Sequence, residues 1–166
     1  MSMHTQPQRA PIGLYTTEER ARRDATIWTP VQGVLAPLQF AVFLVSLGLV
    51  LRYLATGDGY VIATWSIVVK TGVLYVIMVT GAIWEKVVFG QYLLAPAFFW
   101  EDVFSFLVIG LHTAYLWALF SGALAPQSLM LLALAAYAAY VINAVQFVLK
   151  LRAARLQAAT VQEATA

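Results

Sequence analysis

Four runs of apolar residues, each long enough to cross a bilayer, leave this chain few ways to fold. They lie at roughly Val31 to Tyr53, Tyr60 to Trp84, Ala97 to Phe120 and Gln127 to Leu149. A hydrocarbon core about 30 Å thick takes about 20 apolar residues in a helix, and inside it every backbone polar group must be bonded within the protein. The predicted fold is therefore all-α, a bundle of four transmembrane helices. Composition agrees: 61% of residues are hydrophobic and 11% charged, where soluble domains hold about a quarter charged. The 166 residues allow one domain. The expected division is a cytoplasmic tail and interfacial helix over 1–29, the membrane domain over 30–150, and a frayed cytoplasmic tail over 151–166.

The charge pattern sets orientation. Arg9, Arg20, Arg22, Arg23, Lys86, Lys150, Arg152 and Arg155 fall at the termini or in the middle connection, against Arg52 alone on the other side. By the positive-inside rule both termini and the middle loop face the cytoplasm. Trp28, Trp84 and Trp100 mark that boundary, and Trp65 and Trp117 the opposite one. The net charge of +2 reflects these clusters, so nucleic acid is not an expected partner; the lipid bilayer is. With no cysteine, disulfides, thiolate nucleophiles, zinc-thiolate sites and iron–sulfur clusters are excluded. No cleavable signal is expected, since the first apolar run is too long and lacks a small-residue cleavage pattern. Met1 to Gly13, with His4, reads as a disordered tail. Thr17-Glu18-Glu19-Arg20 opens a short amphipathic helix with a threonine cap, acids in its first turn and arginines later.

Within the spans, Gln32, Gln39 and Ser46 recur every seven residues and share one face of the first helix. Pro37 is expected to bend its early turns. Lys70 sits mid-span, where an ammonium group is a functional suspect by default. In the third span Glu101, Ser105, Val108, His112 and Tyr115 are spaced four, three, four and three, forming one stripe. Glu101 and His112 are then about 16 Å apart along the axis, able to line one cavity but not to touch. Asp102 points about a quarter-turn away, toward a neighbouring helix or Glu85. Asn143 and Gln146 suit hydrogen bonding between helices.

Between the second and third spans, Trp84 to Asp102 holds four ionisable side chains, one proline, one glycine and six aromatic rings. It reads as a long cytoplasmic loop, too apolar and aromatic for a disordered linker, and as the floor of a site. Each group also has a bland reading. A carboxylate at a helix N-terminus can serve the dipole alone, Glu85 and Lys86 can be a solvated boundary pair, and the aromatics can be an interfacial belt.

The runs Trp28-Thr29-Pro30-Val31-Gln32-Gly33-Val34-Leu35-Ala36-Pro37-Leu38-Gln39-Phe40, Ile83-Trp84-Glu85-Lys86, Ala95-Pro96-Ala97-Phe98-Phe99-Trp100-Glu101-Asp102-Val103-Phe104 and Tyr140-Val141-Ile142-Asn143 resemble the vinyl-bacteriochlorophyllide hydratase family of purple phototrophic bacteria. The resemblance covers about Leu14 to Gln157. It implies an enzyme of the inner (intracytoplasmic) membrane that adds water across the C3 vinyl group of a (bacterio)chlorophyllide, giving a 1-hydroxyethyl group on the way to bacteriochlorophyll. Other pigment-biosynthesis enzymes are candidate partners. No cofactor is implied, since the magnesium belongs to the substrate.

Such chemistry needs an acid still protonated near neutrality, a placed water and a base. A carboxyl group buried among aromatic rings meets the first need and a second carboxylate in polar surroundings the last. Glu101 is the expected proton donor, with Glu85 or Asp102 orienting the water. Lys86 or Lys70 is expected to pair with the substrate propionate. Phe98, Phe99 and Trp100 are expected to stack on the macrocycle, and Ser105, Tyr115 and Asn143 to line the cavity. His112 is a candidate axial ligand to the substrate magnesium. The rival reading is a pigment-binding or photosystem assembly protein that holds the ring without chemistry; it has no use for three clustered carboxylates. A proton-coupled exporter would place its acid mid-span and show weak charge bias. Haem ligation by two histidines fails because only His112 lies in the membrane.

Overall fold

A computed structural model of the chain describes residues 14–164, with side chains described for 14–156; the tail to Gly13, with His4, lies outside them. Five helices follow in order: α1 Thr17–Ala25, α2 Trp28–Thr56, α3 Tyr60–Phe89, α4 Phe99–Ser121 and α5 Pro126–Ala164. The last four are long and apolar enough to span a membrane.

The first helix is held by a capping box one residue earlier than expected. Thr16 Oγ1 accepts from the Glu19 N–H, and the Glu19 carboxylate accepts from the Thr16 N–H at 2.7 Å. The second helix runs unbroken through Pro37. Pro37 has no N–H to give the Gly33 carbonyl, so the helix loses one bond there without ending. Gly57 and Gly59, at φ 79° and 85°, reverse the chain between α2 and α3 in a left-handed conformation that few other residues accept.

α2 packs along α3 and α4 along α5, and the two hairpins meet through α2 on α5 and α3 on α4. This is an up-down-up-down bundle. α1 docks on α3. Large apolar side chains such as Val34, Trp65, Trp117 and Phe120 are exposed around the outside, while Gln39, Ser46, Lys70, Thr71, His112 and Asn143 are buried inside. Apolar outside and polar inside is the pattern of a bundle whose solvent is hydrocarbon.

Two expectations differ. The loop between α3 and α4 is short, residues 90–98, because nothing in Trp84 to Phe89 stops a helix until Gly90 (φ 85°). Glu85 thus sits on α3 and not in the loop, while Glu101 and Asp102 fall in the first turn of α4, within the expected third span. Residues 151–164, expected to be frayed, continue α5; Leu149 to Ala159 is rich in Leu, Ala, Arg and Gln, all good helix formers.

Candidate active site

The connection 90–98 folds back over one end of the bundle. Phe98, 3% exposed, drives in between the hairpins. It stacks on Phe147 of α5 at 5.8 Å between centroids and meets Trp84 edge-on at 5.8 Å. Phe89 and Tyr15 complete the aromatic layer. Burial pushes the Tyr15 hydroxyl above its ordinary range, and the Arg23 guanidinium 4.9 Å over its ring opposes the shift.

Behind this layer lie the three carboxyl groups. Glu85 and Glu101 are 6% exposed and Asp102 3%. The Leu94 N–H donates to Asp102 Oδ2 at 2.7 Å and the Ala95 N–H to Glu85 Oε2 at 3.4 Å. Leu94 holds φ 61°, a left-handed conformation costly for a branched residue; the turn that aims two N–H groups at two carboxyls requires it. Two successive N–H groups of one turn thus bring Glu85 of α3 and Asp102 of α4 close together.

Glu101, one position earlier on α4, faces α5. Lys150 Nζ donates to its Oε2 at 2.5 Å and lies 5.2 Å over the Phe98 ring. Next along the stripe, Ser105 Oγ donates to the Glu101 carbonyl at 2.9 Å and accepts from Asn143 Nδ2 at 2.8 Å. With Glu101 8% and Lys150 26% exposed at the side chain, Lys150→Met strands a buried carboxylate. It is expected to cost about 3 kcal/mol, the low end for a broken buried pair because Lys150 reaches solvent. Adding Glu101→Leu should restore most of the loss, measured by unfolding of the detergent-solubilised protein.

Mid-bundle, Lys70 is fully buried. Its Nζ lies 2.6 Å from His112 Nε2 and 4.2 Å and 5.2 Å from the Tyr140 and Tyr137 ring centroids. His112 Nδ1 is 2.8 Å from the Val108 carbonyl. The partners assign the tautomer: Nδ1–H donates to the carbonyl, and Nε2 accepts from the ammonium group. Tyr137 continues the network to Ser46 at 2.5 Å, and Ser46 to Ser66 at 2.7 Å.

The stripe Glu101, Ser105, Val108, His112 and Tyr115 is buried throughout, and Asp102, left open between a neighbouring helix and Glu85, accepts from the Leu94 N–H beside the residue that donates to Glu85. Other expectations are redistributed. Glu101 pairs with Lys150, whereas Glu85 and Asp102 accept from the Ala95 and Leu94 N–H groups. Both nitrogens of His112 are engaged, so ligation of a magnesium ion would require Lys70 to leave. Phe98 is inside, while Phe99 and Trp100, 41% and 66% exposed, pack on each other on the outer face, away from the acids. Lys86 is exposed and donates to the Gly90 carbonyl at 2.7 Å. The Tyr115 hydroxyl is buried without a hydrogen-bond partner among the described residues. Sequence reasoning gave no site role to Lys150, Tyr137 or Tyr140; their heptad-like positions on the inner face of α5 were the available signal. An open apolar cleft of about 440 Å³, lined by Val45, Leu49, Trp65 and Val69 among others, lies outside α2 and α3 toward the opposite end. No titratable group lines it.

The family model of 2-vinyl bacteriochlorophyllide hydratases matches residues 15–153. The chain belongs to the 2-vinyl bacteriochlorophyllide hydratase family. It is 72% identical over 153 residues to a protein of that name from Cereibacter sphaeroides, covering 92% of this chain and 94% of the relative. It is 73% identical over 148 residues to one from Rhodobacter capsulatus, covering 89% and 85%. No solved structure matches. The hydratase family match takes in α2 to α4 whole and α5 through Lys150, so every carboxyl group at the closed end of the bundle falls within it.

Proposed function

We propose that this chain is a hydro-lyase of bacteriochlorophyll biosynthesis, adding water across the C3 vinyl group of a (bacterio)chlorophyllide to give the 1-hydroxyethyl derivative. The family supplies the reaction. The observation that carries its assignment to a site is the burial of Glu85, Glu101 and Asp102 together at one end of a membrane bundle, two of them accepting from successive N–H groups of one turn.

In this reading the Glu85–Asp102 pair donates its proton to the terminal vinyl carbon, using the π electrons to form the new C–H bond. The cation left on the inner carbon spreads over the macrocycle. A water molecule then forms the C–O bond, and its proton returns to the carboxylate pair, so the protein ends as it began. Glu101, beside Lys150, stabilises the cation and orients the water. The aromatic layer around Phe98 offers ring faces to the macrocycle, and Lys150, at the rim, is better placed for the propionate than Lys86 or the mid-bundle Lys70. Ser105, Asn143 and Tyr115 line the path inward.

The acidic end faces the cytoplasm in this reading, as do both termini, following the arginines and lysines. α1, with no buried residue and acids and arginines along it, lies among the headgroups with its loop neighbours. The host membrane is the inner, intracytoplasmic membrane, where other enzymes of pigment synthesis would pass on the product.

The test is to express the full chain in a heterologous host, supply 3-vinyl chlorophyllide to its membranes and look for a hydroxyethyl product by mass. A product is expected. Bound pigment without product would favour a carrier instead. Product formed equally well with Glu85, Glu101 and Asp102 all changed to amides would overturn acid catalysis.

A further inference from the structure

Among the described residues, Gln39 is buried with neither its Nε2 nor its Oε1 bonded to anything. It is 2% exposed, and a buried amide without partners is costly unless something fills it. Its position follows from the α2–α5 register. Ser46 bonds Tyr137 at 2.5 Å, and three residues on, the Phe43 and Tyr140 rings lie 5.0 Å apart. One further turn toward the acidic end brings Gln39 level with Asn143. Asn143 Oδ1 is also unpartnered, as is Gln146 Oε1 one turn beyond. Asn143 Nδ2 is spent on Ser105, one turn from Glu101 and so about 6 Å along the axis.

The unmet atoms are one donor, Gln39 Nε2, and three acceptors, Gln39 Oε1, Asn143 Oδ1 and Gln146 Oε1. A pigment carbonyl brings only acceptors and would satisfy one of the four. Water donates twice and accepts as well, and it needs two to four polar partners to stay in a buried site. We infer that Gln39, with Asn143, is the positioning site for the water that adds to the vinyl group. This rests on the hydratase reading above. Gln39 touches neither the proton donor nor the vinyl carbon that is protonated; it decides whether the cation, once formed, meets an oxygen lone pair or returns its proton and re-forms the alkene.

That partition is measurable. The full chain in membranes is given vinyl chlorophyllide in D2O, and mass spectrometry reads deuterium both in the hydroxyethyl product and in recovered vinyl pigment. Gln39→Met is expected to lower hydration about 10²-fold, the order of loss when a reactant is misplaced. Deuterium in recovered vinyl pigment should rise relative to product, and thermal stability should hold or increase as an unsatisfied amide leaves the core. Hydration at the wild-type rate overturns the inference. Loss of hydration and exchange in equal proportion also overturns it, since Gln39 would then serve binding or the fold. If Gln39→Met fails to accumulate, Gln39→Asn keeps an amide at shorter reach and should shift the same ratio; an unchanged ratio overturns the inference. A wild-type protein giving no hydroxyethyl product would instead sink the hydratase reading itself.

Discussion

Changing Glu85 to Gln and Asp102 to Asn together is expected to lower formation of the hydroxyethyl product by about 10²–10⁴-fold, the usual contribution of a placed acid–base group. The two carboxyl groups face each other's helices at the turn, where the Leu94 and Ala95 N–H groups donate to Asp102 and Glu85. Amides preserve the acceptor oxygens those N–H groups need and can still bond each other, so the turn at 90–98 should keep its fold. What disappears is the transferable proton. Either single change leaves one carboxyl group and should cost less than the double. The measurement is the initial rate of product formation in membranes at matched protein level, with pigment retention as a check on binding. A double variant keeping more than a tenth of the wild-type rate would remove this pair from the chemistry and return attention to Glu101.

His112→Leu is expected to destabilise the bundle by about 3 kcal/mol, whereas Lys70→Met should be neutral or stabilising. The asymmetry follows from which group is left behind. Lys70 is fully buried in the middle of α3, and among the described residues no carboxylate stands within ion-pair distance of it. Its ammonium group relies on His112 Nε2 and on two tyrosine faces. Without the imidazole, a charge inside hydrocarbon keeps only its cation–π contacts. Methionine in place of Lys70 removes that charge and fills nearly the same length of side chain, leaving one imidazole nitrogen to a neutral neighbour. The double variant should therefore recover most of the loss, read by thermal or denaturant unfolding in detergent. Equal destabilisation by both single changes would mean that Lys70 itself ties the hairpins together. A Lys70→Met protein that is stable yet fails to convert pigment would show that the charge is kept for function.

Periodicity carried much of the site. Seven-residue spacing put Gln32, Gln39 and Ser46 on one face, and all three turn inward: Gln32 bonds Thr80 at 2.7 Å, Ser46 bonds Ser66 and Tyr137, and Gln39 is buried. The α4 stripe is buried as a unit for the same reason, since 3.6 residues per turn is a property of the backbone. The same rule misjudged Trp84 to Asp102. Its aromatic and charged residues look like a loop to a reader of composition, yet only residues 90–98 leave the helices, where Gly90 permits a left-handed exit. Phe98, Phe99 and Trp100 are neighbours in sequence but divide between the core and the outer face, because Phe98 caps α4 and turns under it while the next two enter the helix.

Local sequence alone settled the membrane bundle, the number of spans, the inward faces of α2 and α4 and the acidic character of one end, because burial in hydrocarbon and helical period act within each segment. It could not settle which acid meets which base. Glu101 with Lys150, Lys70 with His112 and Glu85 with Asp102 are pairings between helices, fixed by how each helix is rotated and slid against its neighbour. That rotation and register minimise unpaired polar groups and voids over all four helices at once. No single segment contains that information, so which side chains are brought together belongs to the tertiary structure.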